Sequence, residues 1–298
     1  MFRGTFRFSM KRGVIALGAL FFAFGGAAFA YTDYEHPLDT LKLKSHAVLI
    51  VDQDSGETLA DKNADLVVPV ASLTKLMTAL VVLDAAQPGD EMLEITKDDV
   101  DTDKYTPSRL KVGTTLSRNE LLLLALMASE NRAALTLSRN YPGGRSAFIA
   151  AMNAKARALG MTATFFADPA GLSDSSVSTA RDVHKLVSAA YVQPVIRMYS
   201  TQRGYTVKAG RKLLKFGNSN RLVRSRSWNI GLQKTGYTQE AGRCLALHAR
   251  VGNRNVAMIF LDSWGKLTRY ADASRVRAGV ERLSRRKSQG ASRAAGSP

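Results

Sequence analysis

Cysteine and histidine are scarce in this sequence of 298 residues. It contains one cysteine, Cys244, and four dispersed histidines. A single thiol excludes a disulfide framework within the chain, and the histidines lack the spacing of a zinc site. Proline is also rare, at 8 residues, while 45% of the residues are hydrophobic, a composition that excludes a disordered or collagen-like polymer. We therefore expect one large globular domain, or two small ones, whose chemistry needs neither a metal ion nor a cofactor.

Acidic residues are few compared with basic ones. The 42 Lys and Arg residues and 25 Asp and Glu residues give a formal net charge of +17. An excess of this sign favours an anionic neighbourhood, such as nucleic acid, a membrane surface or an acidic wall polymer. Charge alone does not distinguish these three partners.

Long apolar runs are rare as well, and the only one lies near the N-terminus. Four basic residues precede the run from Gly13 to Ala27, and the small-residue triplet Ala28-Phe29-Ala30 follows it. This order predicts a secretory signal peptide over residues 1–30. A run of about 15 residues is short for a membrane span, which needs about 20, so an uncleaved anchor is the less favoured alternative.

Loss of the signal peptide removes four positive charges and lowers the net charge from +17 to +13. The positive excess therefore belongs to the exported protein, and export without a disulfide still fits a bacterial envelope protein. An exported enzyme rarely meets nucleic acid. We expect a periplasmic protein with no nucleic-acid partner and at most peripheral membrane association.

The mature chain begins with a strand pattern and continues with helix patterns. Two apolar segments around a turn, His46–Asp52 and Glu57–Asp61, predict a hairpin. Helices are predicted to begin near Ser72, at a capping box formed by Ser117–Glu120, and at Ser146. Helices therefore dominate the middle of the chain.

Strand patterns return after about residue 203. Two hairpins are predicted over Gly204–Phe216 and Arg243–Asp262, with a candidate strand at Leu232–Thr238 between them. A last helix over Asp272–Leu283 precedes residues 284–298, whose basic and small residues predict a disordered tail. We expect the N-terminal hairpin to join the C-terminal strands in one sheet.

Ser72 and Lys75 have the residue types and the spacing of a nucleophile and its base. A serine hydroxyl is a poor nucleophile until a base takes its proton, and a lysine does so when burial or another cation lowers its pKa. Residues three apart lie on one helix face, and a helix start directs free N–H groups towards an oxyanion beside Ser72. The S-x-x-K spacing alone is weak, because Ser263-Trp264-Gly265-Lys266 repeats it.

Two further motifs follow along the chain. Ser129-Glu130-Asn131 lies between two apolar helical pieces, and Lys234-Thr235-Gly236 lies on a candidate strand. S-x-N also begins at Ser117, Ser138 and Ser227, so three of the four occurrences do not mark a catalytic site. K-T-G occurs once. The three motifs follow in order: S-x-N lies 57 residues after S-x-x-K, and K-T-G lies 105 residues after S-x-N. This is the motif set of penicillin-binding proteins and serine β-lactamases.

With these motifs the sequence resembles the low-molecular-mass penicillin-binding proteins, the serine D-alanyl-D-alanine peptidases, over about residues 40–283. Further stretches that carry the resemblance are Pro69–Thr78, Asp168–Leu172, Ser178–Asp182 and Lys234–Thr238. The branch most similar is the penicillin-binding protein 7 type, the D-alanyl-D-alanine endopeptidases, on the basis of Ser129–Ala134, Asn218–Val223 and Trp228–Gly231.

The resemblance implies an α+β fold of the DD-peptidase and β-lactamase type. Such a fold has about five antiparallel strands flanked by helices, with an inserted helical subdomain. The chain would then consist of a signal peptide over residues 1–30, a catalytic domain over residues 40–283 and a basic disordered tail over residues 284–298.

The resemblance also implies a role for each motif residue. Ser72 would attack the carbonyl of the D-Ala residue at the cleaved bond, Lys75 would accept its proton, and Ser129 would relay a proton to the leaving amine. The N–H groups of Ser72 and Tyr237 would form the oxyanion hole. The residues that would bind the substrate are Asn131, Lys234, Thr235, Gly236, Tyr237 and Arg269. Glu130 and His184 receive no catalytic role.

The implied activity is hydrolysis of peptide cross-links in peptidoglycan through a penicillin-sensitive acyl-enzyme. The partners are then the peptide stems of the wall, with β-lactams as covalent inhibitors. Carboxypeptidase trimming of pentapeptide stems stays open as the alternative, and a non-catalytic wall-binding module is less favoured. A class A β-lactamase is disfavoured, because no glutamate for rapid deacylation lies between Gly160 and Asp182.

Overall fold

The computed structural model describes the backbone of residues 35–295 and the side chains of residues 35–286. The predicted signal peptide, residues 1–30, lies outside the described residues. The strands are β1 (Ala47–Asp52), β2 (Thr58–Lys62), β3 (Val68–Pro69), β4 (Met92–Glu94), β5 (Thr115–Ser117), β6 (Val177–Ser178), β7 (Gly204–Ala209), β8 (Lys212–Gly217), β9 (Asn229–Thr238), β10 (Gly242–Val251) and β11 (Arg254–Ser263). The α-helices are α1 (Thr74–Asp84), α2 (Arg118–Met127), α3 (Asn131–Arg139), α4 (Gly144–Ala158), α5 (Ala180–Val192), α6 (Pro194–Thr201) and α7 (Thr268–Ala295).

The centre of the fold is a five-stranded antiparallel sheet with the order β2-β1-β11-β10-β9. The first and last strands of the domain are neighbours, because β1 pairs with β11 along its whole length, from Ala47 opposite Leu261 to Asp52 opposite Val256. This confirms the prediction that the N-terminal hairpin joins the C-terminal strands. It leaves β9 at one edge of the sheet.

Both faces of the sheet are covered. Alternate residues of a strand point to opposite faces, and in β1 both sets are buried: Leu49 belongs to one core, Val48 and Ile50 to the other. Helices α5 and α6 pack on the first face, while α7 packs against β10 and β11 on the second. The uninterrupted apolar sequence of β1 follows from this double burial.

Sequence signals for helix boundaries agree with the structure at three places. Ser117 caps α2, and its side chain and that of Glu120 satisfy each other's backbone N–H groups. The S-x-N motif separates α2 from α3, as predicted. Gly160, with φ of 69°, follows α4 in the left-handed conformation that is common just after a helix end.

Three elements differ from the sequence prediction. The hairpin of β7 and β8 forms a separate two-stranded sheet instead of joining the central one. Helix α6 was not predicted, although Pro194 at its first position suits a helix start. Helix α7 begins at Thr268 and continues to Ala295, past the predicted end at Leu283 and through most of the predicted disordered tail. Arginine and alanine in that stretch are strong helix formers, and they outweigh its low apolar content.

Among the described residues, no helix combines the length and the apolar character needed to cross a membrane.

The α2 capping box provides a test of the helical layer. Replacement of Ser117 by Ala removes the acceptor that lies 3.2 Å from the Glu120 backbone nitrogen. We expect the free energy of unfolding to fall by about 1 kcal/mol and the melting temperature by about 3 °C, measured by calorimetry. Ser175→Ala, in an exposed turn, is the control, and equal melting temperatures for the two variants would contradict the cap's contribution.

Candidate active site

Ser72 lies in a single 3-10 turn, Ala71–Leu73, that leads directly into α1. Ala71 adopts a left-handed backbone conformation, with φ of 46°, which is unusual for a residue other than glycine. The Ser72 side chain is half-buried at the start of the helix, where unpaired N–H groups give a positive potential. The turn therefore presents a hydroxyl group in a place that favours negative charge.

Lys75 lies one helical turn after Ser72 and is completely buried. Its Nζ donates to Ser72 Oγ at 2.8 Å, to Asn131 Oδ1 at 2.7 Å and to the Ala170 carbonyl oxygen at 2.6 Å. These three acceptors use all three donors of an ammonium group. The group is thus fully hydrogen-bonded although it has no contact with solvent.

Burial lowers the pKa of Lys75 from 10.5 to about 8. The carboxylates of Asp168, Glu130 and Asp101 act in the opposite direction, but desolvation is the larger effect. At pH 7 about one tenth of the Lys75 side chains are then neutral, against about one in three thousand for an ordinary lysine. A neutral Lys75 has a lone pair that can accept the proton of Ser72.

The third acceptor of Lys75 comes from a loop to which the sequence analysis gave no role. The Asp168 carboxylate accepts hydrogen bonds from the backbone N–H groups of Ala170, Gly171, Leu172 and Ser173, at 2.6–3.1 Å. Gly171 has φ of 71°, and a Cβ there would lie 1.9 Å from the Ala71 carbonyl oxygen. The loop is therefore a tight turn that holds the Ala170 carbonyl against Lys75. In the sequence this loop was marked only by Asp168–Leu172, one of the stretches that carry the family resemblance.

The S-x-N motif forms the break between α2 and α3. Ser129 has φ of 60°, a left-handed conformation that ends one helix before the next begins. The Glu130 carboxylate caps α3 by accepting a hydrogen bond from the Arg132 N–H. Asn131 bridges two groups, since its Oδ1 accepts from Lys75 and its Nδ2 donates to Thr106 Oγ1 at 2.8 Å.

Lys234 is the second buried lysine of the site. Its Nζ donates to Ser129 Oγ at 2.7 Å and to the Thr235 carbonyl oxygen at 3.0 Å. Burial, with added repulsion from Lys75 and Arg269, lowers the pKa of Lys234 well below its usual range. Two lysines thus each contact one serine hydroxyl, and the two pairs influence each other electrostatically.

The edge strand β9 brings the K-T-G motif next to Ser72. A Cβ at Gly236 would lie 3.1 Å from the Val70 carbonyl oxygen and 3.2 Å from the Ser72 nitrogen. Glycine therefore permits a close approach between the strand and the 3-10 turn. Thr235 is held from the other side, since its hydroxyl donates to Ser219 Oγ at 2.7 Å.

Arg269 and Tyr237 complete the set of residues predicted from the sequence. Arg269 is buried at the start of α7, and its Nη1 donates to the Gly236 carbonyl oxygen at 3.2 Å. Its Nε has no hydrogen-bond partner among the described residues. The Tyr237 side chain is 56% exposed, and the guanidinium of Arg243 lies 4.1 Å from its ring centroid.

The repeated motifs are separated from this site. Ser117 caps α2, Ser138 donates to the Leu135 carbonyl at 2.8 Å, Ser227 contacts Ser225 at 2.9 Å, and Ser263 contacts Ser45 at 2.7 Å. His184 contacts Gln53 at 2.6 Å. The hydroxyl groups of these four serines have no lysine among their hydrogen-bond partners in the described part of the chain.

Thr106 and Ser219 were not singled out by the motifs, yet each contacts a motif residue. Ser219 lies in the Asn218–Val223 stretch quoted for the resemblance, whereas nothing in the sequence marked Thr106. No group of three or more potential metal ligands occurs among the described residues. The arrangement offers a nucleophile with a base, a second hydroxyl–lysine pair, and cations that suit an anionic ligand.

Comparison with known proteins identifies the family of this chain. The model of the peptidase S11 family, described as D-alanyl-D-alanine carboxypeptidase, matches residues 33–264. A D-alanyl-D-alanine endopeptidase of Pseudomonas aeruginosa is 47% identical over 242 residues, which cover 80% of this chain and 78% of that protein. An Escherichia coli D-alanyl-D-alanine endopeptidase is 46% identical, with the same coverage.

A solved structure supports the fold. The DD-transpeptidase of Streptomyces K15 superposes with a TM-score of 0.75 at 28% identity, and the match covers 80% of this chain and 97% of that one. The resemblance predicted from the three motifs and the α+β fold predicted with it are both confirmed. The chain belongs to the peptidase S11 family of serine peptidases.

Proposed function

We propose that this protein is a serine D-alanyl-D-alanine endopeptidase that hydrolyses peptide cross-links of peptidoglycan through an acyl-enzyme. The observation that carries the proposal is the contact of 2.8 Å between Ser72 Oγ and the buried Nζ of Lys75, whose pKa is lowered to about 8. The names of the two endopeptidases, at 47% and 46% identity, support the choice of substrate.

Acylation begins with attack by Ser72. Its Oγ forms a bond to the carbonyl carbon of the D-Ala residue, and its proton passes to the neutral Nζ of Lys75. The carbonyl oxygen becomes an oxyanion, for which the backbone N–H groups of Ser72 and Tyr237 are the proposed donors. The close approach of Gly236 to Ser72 supports this pairing of the strand with the helix start.

The leaving amine needs a proton before the C–N bond breaks. We assign that transfer to Ser129, whose hydroxyl accepts a hydrogen bond from Lys234 Nζ at 2.7 Å. Ser129 gives its proton to the amine and regains one through the buried lysines. The acyl group then remains on Ser72 until water attacks its carbonyl carbon. Neutral Lys75 takes a proton from that water and returns it to Ser72 Oγ as the bond between the acyl carbon and Oγ breaks.

Substrate binding involves the groups around β9. Thr235 and Arg269 are proposed to bind the carboxylate of the residue beyond the cleaved bond, Asn131 the substrate amide, and Gly236 the peptide backbone along the strand edge. The unpartnered Nε of Arg269 supports an anionic ligand at this place. Buried Lys234 holds the Ser129 hydroxyl beside this strand through the hydrogen bond of 2.7 Å from its Nζ.

Carboxypeptidase activity is the second candidate. The family description favours it, and the two reactions share every step on Ser72. They differ only in what lies beyond the cleaved bond, a terminal D-Ala or the side chain of a cross-linked diamino acid. Both substrates belong to the periplasm, where residues 1–30 would direct the chain as a signal peptide.

The titration of Lys75 predicts a pH profile. Because the base is active when neutral, the rate of Ser72 acylation by a penicillin should rise with pH, with a midpoint near 8, and then level off. Lys75→Arg, which stays protonated, should slow acylation by about 10³. The measurement is the acylation rate constant at each pH, followed by intact mass, and a midpoint near 10 would contradict a depressed pKa.

The absence of a glutamate between Gly160 and Asp182 predicts slow release of a bound β-lactam. Wild-type protein treated with a penicillin should carry the added mass for much longer than one catalytic cycle on its peptide substrate takes. Ser72→Ala should carry no added mass. Rapid recovery of the unmodified mass, with hydrolysed penicillin in solution, would identify a β-lactamase instead.

Substrate choice is tested with muropeptides. A mixture of cross-linked dimers and monomeric pentapeptides is incubated with mature protein or with Ser72→Ala, and both species are followed by mass spectrometry. We expect loss of dimer, little loss of D-Ala from the monomer, and no change with Ser72→Ala. Preferential trimming of the pentapeptide would assign carboxypeptidase activity, and no Ser72-dependent change in either species would favour a wall-binding module.

A further inference from the structure

Acidic residues are absent from a long part of the chain that borders the site. Between Asp182 and Glu240 the sequence has 11 Lys and Arg residues and no Asp or Glu. Lys185 pairs with Asp182 at 2.8 Å. The other ten have no acidic residue within five positions in sequence, so those that the fold groups together act jointly on an anionic partner. The hairpin of β7 and β8 lies within this stretch and carries four of them.

The hairpin forms one wall of a cleft of about 380 Å³. The opposite wall is the loop before β5, which contributes Ser108, Arg109, Lys111 and Thr114, while the hairpin contributes Lys212 and Leu214. The described residues that line the cleft include three cations, two hydroxyl groups and an apolar side chain, and none of them is acidic. Such a lining suits a ligand with carboxylates joined by aliphatic segments.

The two walls are held together by Arg109. Its Nη1 donates to the Lys215 carbonyl oxygen at 2.6 Å, and its guanidinium lies 4.0 Å from the ring centroid of Phe216. The cleft is therefore a built feature that joins two chain segments about 100 residues apart in sequence.

The cations of the hairpin are divided between its two faces. Lys212 and Leu214 are two residues apart in β8 and share the face that lines the cleft. Lys208 pairs with Leu213, and Lys215 pairs with Thr206, so Lys208 and Lys215 share the opposite face. Lys208 and Lys215, whose side chains do not line the cleft, therefore serve as matched controls for the lysines that do.

Both walls continue into the proposed active site. Arg109 is three residues from Thr106, so the Cα atoms of these two residues lie within about 10 Å. Thr106 in turn contacts Asn131. Leu214 is five residues from Ser219, which contacts Thr235, a span of at most about 17 Å. An extended tetrapeptide reaches about 13 Å, a length of the same order as these upper limits.

We infer that this cleft binds the second peptide stem of a cross-linked substrate, the stem that leaves with the amine, through its free carboxylates. The inference rests on the proposed function, in which the leaving amine lies beside Ser129 and Thr235. Arg109, Lys111 and Lys212 pair with the carboxylates, and Leu214 contacts the aliphatic part of the chain. The cleft would then favour a cross-linked substrate over a single stem.

The test measures binding without cleavage. On a Ser72→Ala background, the Kd of a purified cross-linked muropeptide dimer is measured by calorimetry for Lys111→Glu with Lys212→Glu, and for the control Lys208→Glu with Lys215→Glu. Both pairs change the net charge equally. We expect about a tenfold weaker Kd with the cleft pair and an unchanged Kd with the control pair. The melting temperature of each variant reports whether it folds.

An equal loss of dimer binding in both pairs, or no loss in either, would overturn the inference. Weaker binding of the cleft pair to phosphatidylglycerol vesicles, with an unchanged Kd for the dimer, would overturn it in favour of a membrane contact. The proposed function fails separately, if the protein with Ser72 intact does not cleave the dimer. Binding of the dimer to the Ser72→Ala protein does not depend on that outcome.

Discussion

The burial of the Lys75 side chain is the constraint on which the rest of the site depends. A buried ammonium group is costly unless every donor has an acceptor. Here the acceptors come from three separate segments: the helix turn with Ser72, the α3 start with Asn131, and the loop with Ala170. Each of the three segments includes a residue with a left-handed backbone conformation that most residues avoid: Ala71, Ser129 and Gly171. The lowered pKa of Lys75, which suits its proposed role as a base, is a result of this enclosure.

The central sheet connects that enclosure to the substrate. Because β9 lies at the edge of the sheet, one side of the strand pairs with β10 while the other approaches the 3-10 turn at Gly236. The same strand carries Lys234 to Ser129 and Thr235 to Ser219. A single strand therefore sets the distances between Ser72, the proposed nucleophile, the second hydroxyl–lysine pair and the polar groups proposed to bind substrate.

Local patterns in the sequence predicted those parts of the fold that depend on local interactions. The capping box at Ser117, the break at Ser129 and the buried strands all follow from spacing or periodicity, and the order of three motifs indicated the family. The Ala170 carbonyl, Thr106 and Ser219 were not predicted, because a backbone oxygen or a lone hydroxyl has no pattern of its own. Their contacts arise only when segments distant in sequence pack together.

The assembly of the site from distant segments also affects when activity appears. Ser72 and Lys234 are 162 positions apart in the sequence, and β9 reaches its place only through β10, β11 and β1, so the whole sheet must form before the two lysines and two serines meet. Sheets with such long-range pairing form late and slowly. The proposed hydrolytic activity therefore appears only once the whole sheet has formed, and an unfolded chain lacks it.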